Sequence, residues 1–310
     1  MLIKAADDKQ ADIDVLNGLL AQPGLDADTR RRIDTEVRRV QAGARGERDA
    51  AYEIEFHFGA NPNRMTIHDL RLAVDGRVAQ IDHLVIDRLL GIWVCESKHF
   101  SEGVAIDDFG EWTGFYNRRP YGIGSPIEQN RKHIAVLNDV FAKRLVALPK
   151  RLGITIKPDL RSLILVSKDA RITRPKTKAA RAEIDGLDSV IKVDQLSTVL
   201  DRHGQSLGIV SLGRAVGKGV IESLARGLVA LHRPASTDWA GKFGPTAEPA
   251  APAELPEAHP AAATPGQAVC EACGKRVSRT VIEYCEARAD VFGGRILCMD
   301  CQGRARNGQI

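Results

Sequence analysis

Apolar runs rich in β-branched residues between Arg64 and Lys98 predict three consecutive strands near 64–74, 78–87 and 91–98. Asp75-Gly76 marks a tight turn between the first two. Taking Arg88-Leu89-Leu90 as the next loop pairs Asp87 with Gly91 and, counting back, sets Asp82 opposite Glu96. Residues two apart in a strand share a face, so Glu96 and Lys98 point the same way and Cys95 points the other. Upstream, residues 7–58 read mostly as helix. Asp26 to Thr29 offers N-cap candidates, and Ile33, Val37 and Val40 form an apolar stripe. An interruption at Gly43/Gly46 precedes a second stripe, Ala50, Ile54 and Phe58, on the helix that carries Glu47.

Downstream, 101–124 is rich in glycine and aromatics and reads as a long connection. Its Trp112, Phe115 and Tyr116 would plug a sheet edge or stack on bases. Ser125-Pro126 opens a helix with a capping serine and a first-turn proline, and Ile127, Ile134, Val136, Leu137, Val140, Phe141 and Leu145 supply its buried stripe. Leu163–Ser167 and Ser189–Val193 read as strands, Gln195–Arg202 as a short helix, and 217–232 as a last helix with Val220, Leu224 and Leu228. The order describes a three-layer α/β core around a mixed sheet.

Composition divides the chain. From Pro234 to Ala268 lie seven of its fourteen prolines, with Trp239 and Phe243 the only aromatics, so an extended linker is expected there. The predicted organisation is a helical extension over 1–42, a core domain over 43–232, a linker over 233–268 and a cysteine module over 269–310. No apolar run approaches the ~18 residues of a membrane span. The N-terminus turns acidic at Asp7-Asp8, where a signal peptide needs its apolar region, so a cytoplasmic location is expected.

The strand pattern places chemistry as well as structure. Cross-strand neighbours lie roughly 4.5–5.5 Å apart at Cβ. Two carboxylates so close, Asp82 and Glu96, repel unless a cation lies between them, and Mg²⁺ is commonly held by one or two carboxylates plus waters. Lys98 beside them would support charge developing on a phosphate. An ordinary solvent-facing Glu/Lys pair is the plainer reading, but the apolar surroundings argue for a paired set of acids and base.

The run Gly46-Glu47-Arg48, Gln80-Ile81-Asp82-His83-Leu84-Val85, Glu96-Ser97-Lys98 and Pro126-Ile127-Glu128-Gln129 resembles the nuclease-related domain, NERD, a branch of the PD-(D/E)XK nuclease superfamily. The resemblance spans about 43–202 and implies a restriction-endonuclease-like fold. It implies Asp82 and Glu96 as ligands of Mg²⁺ or Mn²⁺, Lys98 as the catalytic lysine, Glu47 as the acid of the leading helix and Gln129 as the glutamine opening a later one. The expected function is metal-dependent hydrolysis of DNA, with RNA left open. The alternative is a nucleic-acid-binding adaptor that keeps the fold without the chemistry.

Charge distribution points the same way. Between Arg131 and Arg181 fourteen Lys/Arg face only Asp139, Asp159 and Asp169, against +4 for the whole chain. Such a surplus attracts a polyanion. Arg131, Lys132, Arg171, Arg174, Lys176 and Lys178 are the candidate nucleic-acid contacts, and Arg171–Arg181 reads as a mobile, phosphate-gripping loop.

Cys270-x-x-Cys273 and Cys298-x-x-Cys301 are two knuckles that suit tetrahedral Zn²⁺ in a small zinc ribbon, although the intervening twenty-four residues exceed the usual spacing of ~15–20. Cys285 sits in a helical pattern and reads as a buried hydrophobe. With zinc bound the module is close to neutral, so it is as apt for protein contact or stability as for DNA.

Overall fold

The turns written into the sequence set the sheet. In the computed structural model, which describes residues 1–206, 215–243 and 269–306, a short β1 (Leu2–Lys4) leads into α1 (Gln10–Leu20) and α2 (Ala27–Phe58). Then come β2 (Arg64–Val74) and β3 (Arg77–Asp87), joined at Asp75 and Gly76, both in the left-handed region at φ 49° and 75°. That pair of positive φ values makes the tight hairpin whose twist matches its strands. The next loop folds around Asp87, whose Oδ1 accepts from the Leu89 and Gly91 amides at 2.8 and 3.1 Å, and delivers β4 (Gly91–Lys98).

Beyond β4 come β5 (Gly103–Ile106), β6 (Trp112–Tyr116), β7 (Arg119–Ile123) and α3 (Pro126–Ala142). A small hairpin, β8 (Lys150–Arg151) and β9 (Ile154–Thr155), precedes β10 (Asp159–Val166), β11 (Arg171–Thr173), α4 (Lys178–Glu183) and β12 (Val190–Lys192). Helices α5 (Leu196–Ser206), α6 (Lys218–Ala230) and α7 (Trp239–Phe243) follow. The main sheet has the order β1-β2-β3-β4-β10-β12, antiparallel among β2, β3 and β4 and parallel elsewhere. Along β4, Ile92 and Val94 face α3 and α6, packing with Val136, Leu137, Ile221 and Leu224. Trp93 and Cys95 face α2 and α5, packing with Ala50, Ile54, Phe58 and Leu200. The result is the expected three-layer α/β core with a mixed sheet.

Several local expectations fail for identifiable reasons. Helix α2 runs without a break through Gly43 and Gly46, because packing along both of its halves outweighs the roughly 1 kcal/mol that each glycine costs. The 101–124 stretch is not a connection. Strands β5, β6 and β7 form a second sheet with β11, in the order β11-β5-β6-β7. Trp112 is buried there with Val104, Ile106 and Ile164, whereas Tyr116 is exposed. Arg171–Arg181 is a strand and a helix capped by Thr177 rather than a loop. In α6 the buried stripe is Ile221, Leu224, Ala225 and Leu228, and Val220 faces solvent. The expected linker begins with ordered structure: Trp239 and Phe243 bury themselves against Leu16, Leu19, Ile33 and Val37, and the indole N–H of Trp239 donates to Asp12 at 2.8 Å. The remainder of that linker, 244–268, lies outside the described residues.

The chain divides into two compact units, Met1–Thr246 and Ala247–Ile310. The described part of the second holds α8 (Arg279–Glu286), α9 (Ala289–Phe292), α10 (Met299–Arg306) and a single bridge, Val269↔Arg276. The long spacing between the cysteine pairs is thus filled by two helices. Among the described residues no helix is long and apolar enough to cross a membrane.

Candidate active site

Glu96 and Lys98 stand on one face at the end of β4, with Lys98 Nζ 2.7 Å from Glu96 Oε1. The same ammonium reaches Gln129 Oε1 at 3.1 Å, in the first turn of α3. Ser125 caps that turn, and Asn130 locks it to the sheet by donating to the Val94 carbonyl and the Ser162 hydroxyl, both at 2.8 Å. A rigid first turn therefore fixes Gln129 and, one turn further on, His133.

Asp82 arrives from β3. The paired rungs between β3 and β4 end at His83↔Cys95, one short of Asp82 and Glu96. Instead of another rung, Asp82 Oδ2 accepts from the Ser97 amide at 2.8 Å and the Ser97 hydroxyl at 2.9 Å. The strands part here and a cavity of about 450 Å³ opens, lined by Glu47, Gln80, Asp82, Glu96, Lys98, Gln129 and His133 among others. Glu47 enters from α2. A Cβ on Gly46 would stand 2.6 Å from His99 Cβ, so the missing side chain lets the helix lie against the end of β4.

The electrostatics are those of acids short of counter-charge. Burial and the neighbouring Asp82 push Glu96 up to about 8. The same two causes raise Glu47 to about 7, against the pull of Lys9 and Lys98. Burial also raises Asp82, opposed by the Ser97 hydrogen bonds and by Lys98. Burial lowers His133 and so favours its neutral form. Glu96 is 2% exposed, and its Oε2 has no hydrogen-bond partner; His133 Nδ1 lies 3.4 Å away without the geometry of a bond. A buried carboxylate oxygen left bare beside a second acid suits a hard divalent cation. Among the described residues only the four cysteines bring three or more ligand atoms within 4.8 Å of one another.

The sequence-based site residues thus divide. Glu47, Asp82, Glu96, Lys98 and Gln129 line one cavity. Lys132 lines an adjoining one with Lys98, Gln129 and Ser125. Arg131 is held by Glu128 and by Asp185, the latter at 3.0 Å. Arg174 donates to the Val190 carbonyl at 2.6 Å, which makes it a tie between β11 and β12. Arg171, Lys176 and Lys178 are exposed around the second sheet and α4. Ser97, Gln80 and His133 were not foreseen. The four-residue step from Gln129 to His133 on one helix face was the available signal for the last.

In the second unit Cys270, Cys273, Cys298 and Cys301 gather with all ligand atoms within 4.8 Å, the arrangement a Zn²⁺ ion needs. Cys285 lies outside this group. It is buried on α8, where its sulfur accepts from the Leu297 amide at 3.4 Å and from Gln302 Nε2 at 3.3 Å.

Residues 42–158 match the nuclease-related domain family, NERD. The match takes in Glu47, Asp82, Glu96, Lys98, Gln129, Arg131 and Lys132, and it ends before the second half of the basic region and the cysteines. No curated protein and no solved structure matches the chain.

Proposed function

We propose that this chain is a metal-dependent nuclease that hydrolyses phosphodiester bonds in DNA. The observation that carries the reading is the bare, buried Oε2 of Glu96 in a cavity it shares with Asp82, Glu47 and Lys98. Asp82 and Glu96 would hold Mg²⁺ or Mn²⁺, which when bound supplies Lewis acidity toward a phosphate oxygen and a more acidic water. Glu47, which lines the same cavity, would support the ion. Lys98 has three N–H donors, of which Glu96 and Gln129 occupy two. The third is left to address a phosphate oxygen, where charge builds up as the bond breaks. Gln129 aims that ammonium and Ser97 fixes Asp82. In the second unit the four cysteines hold a structural zinc, and that unit serves stability or protein contact.

Purified chain should nick DNA with Mg²⁺ or Mn²⁺, and EDTA should stop it. Lys98→Ala should lower turnover at least ~10²-fold while leaving metal and DNA binding in place. Asp82→Ala should lower both turnover and metal affinity. Binding of DNA without cleavage of any DNA or RNA form would establish the adaptor instead. Equal cleavage by wild type and Lys98→Ala would trace the activity to a contaminant.

A further inference from the structure

The N-terminal segment, outside the matched family region, sends a second lysine to the carboxylates. Lys9 Nζ lies 2.6 Å from Asp69 Oδ2, with side chains 21% and 4% exposed. Asp69 falls between the rungs His68↔His83 and Leu70↔Ile81, in register with Asp82, and its backbone is left-handed at φ 51°. The kink is pinned from the same segment: Lys4 Nζ donates to the Asp69 and His68 carbonyls at 3.0 and 3.2 Å and to Asp7 at 2.7 Å. Gln80, which lines the active-site cavity, donates to Asp69 Oδ1 at 3.0 Å. On its other side Lys9 shares a cavity of about 360 Å³ with Glu47. Four acids, Glu47, Asp69, Asp82 and Glu96, therefore lie near two built-in cations, Lys98 at one end and Lys9 at the other.

We infer that the Lys9 ammonium takes the place of a second divalent ion, confining this site to one. Two nearby acids on separate elements, Asp69 and Glu47, match the one or two carboxylates by which Mg²⁺ is commonly held. Lys9 satisfies Asp69 and screens Glu47 with a charge that cannot dissociate. Lys9 is a positioning residue by this account, since it touches neither ion nor substrate. The inference rests on the metal reading of the site and is tested by counting ions rather than by activity alone.

Zinc-loaded full-length chain would be titrated with Mn²⁺ and the free ion followed by electron paramagnetic resonance. Wild type should bind one Mn²⁺ and Lys9→Met two. Lys9→Arg, which keeps the charge, should bind one. Lys9→Met/Asp69→Asn should return to one, because the new pair of acids is gone. Should Lys9→Met not fold, Lys9→Gln keeps a donor to Asp69 without the charge and should also bind two. A tether that merely fastens the N-terminus would lower thermal stability in these variants and leave the count at one, which overturns the inference. Two ions on wild type would overturn it while sparing the nuclease reading. No ion on wild type would overturn both.

Discussion

The two units differ in what holds each of them together. In the first, a six-stranded sheet covered on both faces builds the scaffold, and Asp82 and Glu96 stand on its central strands β3 and β4. In the second, the buried cluster is Cys270, Cys285, Phe292, Leu297, Cys298 and Cys301, so four of six core residues are cysteines. Beyond the cysteines, Phe292 and Leu297 are buried and Val277, Val281, Tyr284 and Ile296 only partly so, a small core to set against the entropy of folding. The first unit thus holds its shape by apolar packing, whereas the second has few apolar side chains and gathers four thiols that could bind an ion.

Three experiments break or sharpen that contrast. The largest effect is expected from removing zinc, or from Cys298→Ser. Either should unfold 269–306 outright, seen as loss of its amide dispersion in NMR spectra, while the melting of the first unit stays put. A second unit that remains folded without metal would dissolve the distinction.

Next comes the response of the first unit to divalent ions as pH changes. Glu47 and Glu96 have ordinary values of 4.5, raised in the folded chain to about 7 and about 8. Between those limits the native state binds more protons than the unfolded one, so metal-free stability from these groups falls as pH rises. A divalent ion at the proposed site would replace the protons. The Tm gain from Mn²⁺ should be slight near about pH 5.5 and grow until about pH 8. Asp82→Asn, which removes a repelling charge, should flatten the rise. A gain independent of pH in wild type would place the ion elsewhere.

The smallest effect concerns the basic region. Lys132→Ala, at the cavity beside Lys98, should weaken DNA binding across sequences and flatten the salt dependence by up to about one phosphate's worth. Arg174→Ala should also lower thermal stability, an effect not expected of Lys132→Ala, since the Arg174 guanidinium donates to the Val190 carbonyl. Salt titrations and thermal melts of both variants separate the two roles.

What the sequence disclosed follows the range of the interactions. The register of β3 on β4 was legible because a short loop between two apolar, β-branched runs is a local signal, and it holds through His83↔Cys95. The gathering of the cysteines was legible because thiol spacing is chemistry that no neighbour overrides. The second sheet was hidden: its strands are three to five residues long, and β11 finds β5 from far along the chain. Lys9 was hidden for the same reason, since its partner Asp69 lies sixty positions away and no local pattern links them. The burial of Trp239 and Phe243 also escaped notice, because a Pro/Ala-rich context says nothing about a distant helix pair able to receive two rings.

The parting of β3 from β4 has a consequence for solubility. Strand β4 keeps β10 through Val166↔Lys98 but loses β3 after Cys95, leaving a short free margin inside the sheet. Free margins recruit strands from other molecules unless charge or shape prevents it. Here Asp82 takes the Ser97 amide for itself, and Glu96 and Lys98 stand beside it. An incoming chain would have to strip those groups of their partners to gain hydrogen bonds. Asp82 thus does for the Ser97 amide what a backbone carbonyl of β3 does for the rungs before it.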